Sequence, residues 1–179
     1  MKDGFVKTAV ATNRVSISDC RYNTSSIVTM MHEAAAVGVK LLVFPELSIT
    51  GYTCGDLFFQ PLLQQKALDG LLTIVSETGT LDMVAVVGLP IMFEGKLYNC
   101  AAVISHGNIL GIVPKSHLPN YGEFYEQRWF VRSPVSNGTL MMGKTSVPFG
   151  TKLLFRCVSL PTLLFAVEIC EDLWVPSPP

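Results

Sequence analysis

AVEICEDLW, residues Ala166 to Trp174, is the stretch on which the reading of this chain turns. The apolar run Leu163 to Val167 predicts a strand, Cys170 follows it ahead of Glu171 and Asp172, and the apolar pair Leu173 and Trp174 closes the stretch. A strand that stops in a sharp turn presents one side chain at its tip. A thiol in that position is intrinsically nucleophilic, and a nearby base and cation raise its thiolate fraction. A lone cysteine at a strand end also serves as a small buried hydrophobe, so the chemistry of Cys170 depends on what the rest of the chain brings to it.

Outward from that stretch the chain alternates strand and helix, then changes to hairpins. Phe5 to Thr12 reads as a strand. Ile27, Met30, Met31, Ala34 and Ala35 recur at helical spacing, with Asp19 or Asn23 as cap and Gly38 as terminator. Val39 to Phe44 is a buried strand; Pro45 stops it and leaves Glu46 at its carboxyl end. Ser48 to Asp56 is loop, Pro61 opens a helix that runs to Glu77, and Met83 to Leu89 is a strand closed by Pro90. Lys96 to Ser105 and Ile109 to Val113 form a hairpin around His106, Gly107 and Asn108, which makes His106 a turn residue. Pro114 to Arg128 reads as a polar and aromatic loop outside the core. Thr139 to Val147 and Thr151 to Val158 complete the series as strands on either side of Pro148 and Gly150. The order predicts a mixed sheet with helices on one face and an apolar second face that invites another sheet.

Composition narrows the function. The 179 residues suffice for one domain with a proper core, a formal net charge of −1 offers nothing to a phosphate backbone, and no Lys/Arg cluster occurs. Nucleic acid and membrane are therefore excluded as partners: no apolar stretch approaches the ~18 residues of a membrane span, and no signal peptide follows Met1. Five scattered cysteines fit the reduced thiols of a cytoplasmic protein, and the isolated His32, His106 and His117 give no metal spacing. Charged residues are only 15% against 49% hydrophobic, a thin polar surface for a free-standing globule. Gly138 to Thr145, GTLMMGKT, matches the letters of a phosphate-binding loop. It lacks the helix that must follow, because Pro148 and Gly150 stand where that helix would start, so it is read as a strand with a surface lysine.

What remains is Glu46, Lys115 and Cys170. Glu46 and Cys170 each follow an apolar strand-like run and Lys115 follows Pro114 at a strand end. Ligands of α/β sheets gather beyond the carboxyl ends of strands, so the three are expected to converge. A carboxylate beside a thiol takes its proton, an ammonium stabilises an oxyanion, and a thiolate attacks a carbonyl. Singly, Glu46 also reads as a helix cap and Lys115 as a solvated charge.

LLVFPELSITGY (Leu41 to Tyr52), GIVPKSHLPNYGEFYEQRWF (Gly111 to Phe130) and VEICEDLW (Val167 to Trp174) resemble the three signature blocks of the carbon-nitrogen hydrolase, or nitrilase, family, over essentially the whole chain. The second and third blocks are most similar to the amino-terminal glutaminase branch that precedes an NAD-forming synthetase. The resemblance implies a four-layer α-β-β-α sandwich, incomplete at its C-terminus, over residues 1–179. It implies Glu46 as general base, Lys115 as oxyanion stabiliser, Cys170 as nucleophile and Glu123 as a second glutamate that aligns Lys115 and the substrate amide. Tyr52, Tyr121 and Glu171 match positions that line the substrate pocket. The implied partners are L-glutamine, a C-terminal synthetase domain of the same polypeptide that uses ATP and magnesium, and further copies in a homo-oligomer; no cofactor is implied at the thiol site.

A stand-alone amidase of the same family, and a structural module with a residual triad, are the competing readings. The family domain continues beyond the nucleophile, whereas Pro179 follows Cys170 closely. The chain is accordingly expected to be a fragment, with exposed apolar surface beside its last strands.

Overall fold

The computed structural model describes residues 4–179. Its first half follows the alternation in the sequence. Strand β1 (Thr8–Val10) leads to helix α1 (Cys20–Ala36), β2 (Leu41–Val43), helix α2 (Pro61–Glu77) and β3 (Val84–Phe93). Asp19 caps α1 by accepting a hydrogen bond from the Tyr22 backbone N–H at 3.0 Å, and Gly38, at φ +81°, turns the chain out of it. Asn23 is instead buried inside α1, where its side chain bonds the backbone of Ser16 and Ile49. Pro61 is the first residue of α2, where its missing N–H costs nothing.

The hairpin of β4 (Lys96–Ser105) and β5 (Asn108–Pro114) turns on His106 and Gly107, both at positive φ, as a two-residue connection requires. Beyond it lie β6 (Gly138–Met142) and β7 (Thr145–Phe149). These seven strands form one mixed sheet in the order β1-β2-β3-β4-β5-β7-β6. A separate two-stranded ribbon pairs β8 (Phe155–Arg156) with β9 (Leu164–Phe165), with the rings of Phe155 and Phe165 stacked at 5.2 Å.

Alternation along the central strands divides the core in two. Ala85, Val87, Leu89 and Ile91 of β3, with Cys100, Ala102 and Ile104 of β4, join Ile27 and Met31 of α1 and Leu71 and Ile74 of α2 in the larger core. Val86, Ala101, Val103 and Val113 face the other way and pack with Phe155 and Ile169. The described layers are thus helices, sheet and ribbon, three of the four that the resemblance implies; no outer helix on the ribbon side is among the described residues. Val158, Leu154, Leu173 and Trp174, at and after the ribbon, are exposed, and so are Phe5 and Val10 near the opposite edge.

Several sequence expectations are corrected. Pro90 does not end β3, which runs three residues further. Val84, Val86 and Gly88 direct their backbone groups toward the β2 side, bonding Lys40, Phe44 and Ile49 respectively, so Pro90 faces the same way after β2 has ended and has no strand to donate to. Thr139 to Val147 is not one strand: Gly143, at φ +62°, turns it into the β6–β7 hairpin, so GTLMMGKT is a hairpin. Thr151 to Val158 and Leu163 to Val167 shrink to the two-residue strands of the ribbon, and Phe5 to Thr12 shrinks to β1. The 114–128 segment is not wholly outside the core, since Lys115, Leu118 and Glu126 are buried.

One close approach positions everything that follows. After β2 the chain crosses over β3 at Gly88, where an added Cβ would lie 2.3 Å from the Leu47 nitrogen and 2.8 Å from the Pro45 oxygen. Ser48 and Ile49 fasten the crossing by hydrogen bonds to the Gly88 backbone. Gly88→Ala is expected to destabilise the domain by about 1–3 kcal/mol, because backbone rather than a flexible side chain must move. A fall in the thermal midpoint checks this; an unchanged midpoint would show that the crossing has slack.

Candidate active site

Strands β2, β3 and β5 point the same way, because β2 is parallel to β3 and two antiparallel steps separate β3 from β5. The segments that follow β2 and β5 therefore emerge at one end of the sheet. The Gly88 crossing carries Glu46 toward β4, and Lys115, directly after Pro114, continues the alternation of Gly111 and Val113 on the ribbon side. Asn99 of β4 stands between them, its carbonyl accepting from the Lys115 backbone N–H at 2.8 Å.

The two side chains meet. Lys115 Nζ donates to Glu46 Oε1 at 2.7 Å and to Glu126 Oε1, also at 2.7 Å. Lys115 and Glu126 are almost completely buried, while the Glu46 side chain keeps 16% of its exposure. Asn99 Nδ2 donates to the same Glu46 oxygen, and the Tyr52 hydroxyl donates to Glu126 Oε1 at 2.8 Å. Each carboxylate thus spends one oxygen on two donors. Glu126 Oε2 is buried without a partner, and among the described residues no hydrogen bond reaches Glu46 Oε2.

Electrostatics follow from this burial. Desolvation pushes the Lys115 ammonium toward neutrality, but the Glu46 charge and the bonds to Glu126 and Glu46 outweigh it and raise its pKa, so it stays charged. Burial raises the Glu126 carboxyl, with the bond from Lys115 opposing. Burial also raises the Tyr52 hydroxyl, helped by its bond to Glu126.

Cys170 comes from the other layer, on a turn whose Asp172 bonds the backbone of Ser116 and His117, directly after Lys115. Ile169 is anchored in the second core in extended conformation, and Cys170 then adopts φ +49°, a left-handed turn unusual for a side chain with a Cβ, at the start of a short 3-10 turn to Leu173. The expected strand tip is therefore an unpaired extended segment, because β9 ends at Phe165. The thiol is free and its residue exposed. Burial of the sulfur raises its pKa first, the Glu46 charge next; Lys115 lowers it, Glu126 raises it, and the Glu171 backbone N–H lowers it. The resting group is a thiol that needs a base.

The other expected positions divide. Glu123 is exposed and does not touch Lys115; the second glutamate on the ammonium is Glu126, three residues on, in a short 3-10 turn from Glu126 to Arg128. Tyr121 and Glu171 are bonded to each other at 2.9 Å on the rim. Tyr52 commits its hydroxyl to Glu126 and offers its ring, which meets Phe124 edge-on at 6.4 Å. The sequence reading missed Glu126, Asn99 and Asp172, a buried carboxylate two residues past Cys170. For Glu126 a signal existed: it and the apolar Trp129 and Phe130 lie in one short stretch that packs inward.

A layered α/β frame with thiol, carboxylates and ammonium at one end of its sheet places this protein among hydrolases of that architecture. More particularly, it belongs to the carbon-nitrogen hydrolase family, whose model matches residues 7–178. It is 43% identical over 176 residues to the glutamine-dependent NAD(+) synthetase of Mycobacterium tuberculosis, covering 98% of this chain and 26% of that protein. The structure matches that of a glutamine-dependent NAD(+) synthetase from Cytophaga hutchinsonii with a TM-score of 0.85 and 30% identity, over 93% of this chain and 28% of that one. The Acinetobacter baumannii synthetase, solved in complex with ADP, matches with a TM-score of 0.71 and 31% identity, over 92% and 28%. The chain thus spans about a quarter of the length of these relatives. Among the described residues no group of three or more His, Cys, Asp or Glu is placed to hold a metal, and no helix is long and apolar enough to cross a membrane.

The charge pattern gives a signed expectation. Since Glu46 is the largest charge raising the Cys170 thiol, Glu46→Gln is expected to move the pH profile of Cys170 alkylation to lower pH. Rate constants for iodoacetamide between pH 6 and 10 check it; a profile unmoved or moved upward would remove Glu46 from the thiol's surroundings.

Proposed function

We propose that this domain hydrolyses the side-chain amide of L-glutamine through a thioester on Cys170. The observation that carries the reading is the buried ammonium held between two carboxylates, of which the part-exposed Glu46 keeps its Oε2 free of hydrogen bonds, beside a nucleophile that rests protonated. Glu46 takes the thiol proton as Cys170 Sγ attacks the amide carbon. The oxyanion meets the Lys115 N–H not engaged by carboxylate and the Glu171 backbone N–H. Collapse breaks the C–N bond, and Glu46 returns the proton to the departing ammonia. Glu46 then deprotonates a water that attacks the thioester, releasing glutamate and restoring the thiol.

Glu126, rather than Glu123, holds Lys115 in this reading. Tyr52, Tyr121 and Glu171 form the pocket wall. The similarity to glutamine-dependent NAD(+) synthetases supports glutamine as the substrate, and supports ammonia passing to a synthetase domain of the same polypeptide, where ATP and magnesium act and NAD is formed. Self-association of the whole protein rests on family resemblance and is read from its mass in solution.

In the whole protein, Cys170→Ala is expected to abolish glutamine-dependent NAD synthesis and leave ammonia-dependent synthesis largely intact. Equal loss with both nitrogen sources, in a folded variant, would defeat the reading. Lys115→Met is expected to lower glutamine turnover by about 10²- to 10³-fold, the cost of one oxyanion donor, measured as glutamate release.

A further inference from the structure

We infer that Asp172 is a positioning residue that fixes the Cys170 turn to the Lys115 segment; the inference rests on the proposed thiol chemistry. Asp172 is 1% exposed. Its Oδ1 accepts from the His117 backbone N–H at 2.7 Å, from the Ser116 backbone N–H at 3.1 Å, and lies 3.1 Å from His117 Nδ1; its Oδ2 lies 3.3 Å from the Ser116 nitrogen. Two consecutive backbone donors converge on one carboxylate, and they belong to the two residues directly after Lys115.

The rest of the geometry makes this tie matter. Lys115 is already immobile: its N–H is bonded to Asn99, its carbonyl to Ser133, and its ammonium to Glu46 and Glu126. The Cys170 turn is not. Strand β9 stops at Phe165, residues 166–169 pair with no strand, and the turn's own backbone bonds, Asp172 to Ile169 and Trp174 to Glu171, are internal. Among the described residues the hydrogen bonds from residues 170–174 to other parts of the chain are those of Asp172 and the rim pair Tyr121–Glu171. Of these only Asp172 is buried. Ile169 fixes the height of the turn above the sheet by packing; Asp172 fixes its lateral position against Lys115.

An asparagine at 172 keeps the shape and one accepting oxygen but sets an NH₂ group against backbone N–H donors, which weakens the tie without opening a cavity. In the whole protein, Asp172→Asn is expected to lower kcat for glutamine hydrolysis by about ten- to a hundredfold, with KM changed much less, because misplacement by ~1 Å already costs on that scale. Activity is counted per Cys170 titrated by iodoacetamide, so that loss of folded protein does not count. The charges acting chiefly on the Cys170 thiol are Glu46, Lys115 and Glu126. Neutralising Asp172 in place therefore leaves the alkylation profile nearly still, whereas a released turn takes the sulfur away from burial and from Glu46 and moves the profile to lower pH. The expected result is both: slower turnover and a downward-shifted profile. Wild-type kcat per titrated thiol, or an unmoved profile in the folded variant, overturns the inference. If the wild-type protein does not hydrolyse glutamine at all, the proposed function fails, and the alkylation profile alone still decides the role of Asp172.

Discussion

A lysine ammonium buried between two carboxylates is the interaction on which the rest of this structure depends. An isolated buried charge is intolerable, and here each member of the trio is held by the others and by neutral donors. The members come from segments far apart in sequence: Glu46 after β2, Lys115 after β5, Glu126 from the following loop. Their assembly therefore requires the sheet order itself. Removing Lys115 leaves two carboxylates facing each other in the interior, and removing either glutamate leaves the ammonium with a single partner, so the site and the arrangement of the strands stand together.

The backbone pays for this convergence at two points. Gly88 lets one chain segment lie directly on another strand, and Leu47, fully buried and at φ +52°, follows Glu46 in a conformation that a leucine adopts only under constraint. Cys170 has the same left-handed geometry on the opposite side of the site. Both candidate proton-transfer partners are thus placed at or beside residues whose backbone is held away from its relaxed basin, which fixes their direction more firmly than a loop ordinarily does.

Much of the frame was legible in the sequence because it obeys local rules. Asp19, Gly38, Pro61 and the His106–Gly107 turn mark element ends through their own backbone chemistry. What failed is what depends on distant partners. Pro90 looked like a terminator because the sequence does not tell where β2 runs out. The ribbon strands were overestimated because apolar residues there meet other layers more than they meet hydrogen-bonding neighbours. Glu123 and Glu126 are both glutamates of one short polar run; only the turn after Tyr125 decides which of them points inward. Asp172 resembled a polar residue at the end of a motif, since its partners are main-chain groups that leave no mark on composition.

The excess of carboxylate over ammonium has a consequence for the direction of the proposed reaction. With both glutamates ionised the trio carries one net negative charge inside the protein. An amide arrives neutral at its reacting end and is accepted there. The acid formed from it ionises against Glu46 and Glu126, and like charges a few ångströms apart in a poorly solvated site repel strongly. In the proposed reaction the site thus accepts a neutral amide and repels the acid formed from it, which opposes both product inhibition and the reverse condensation.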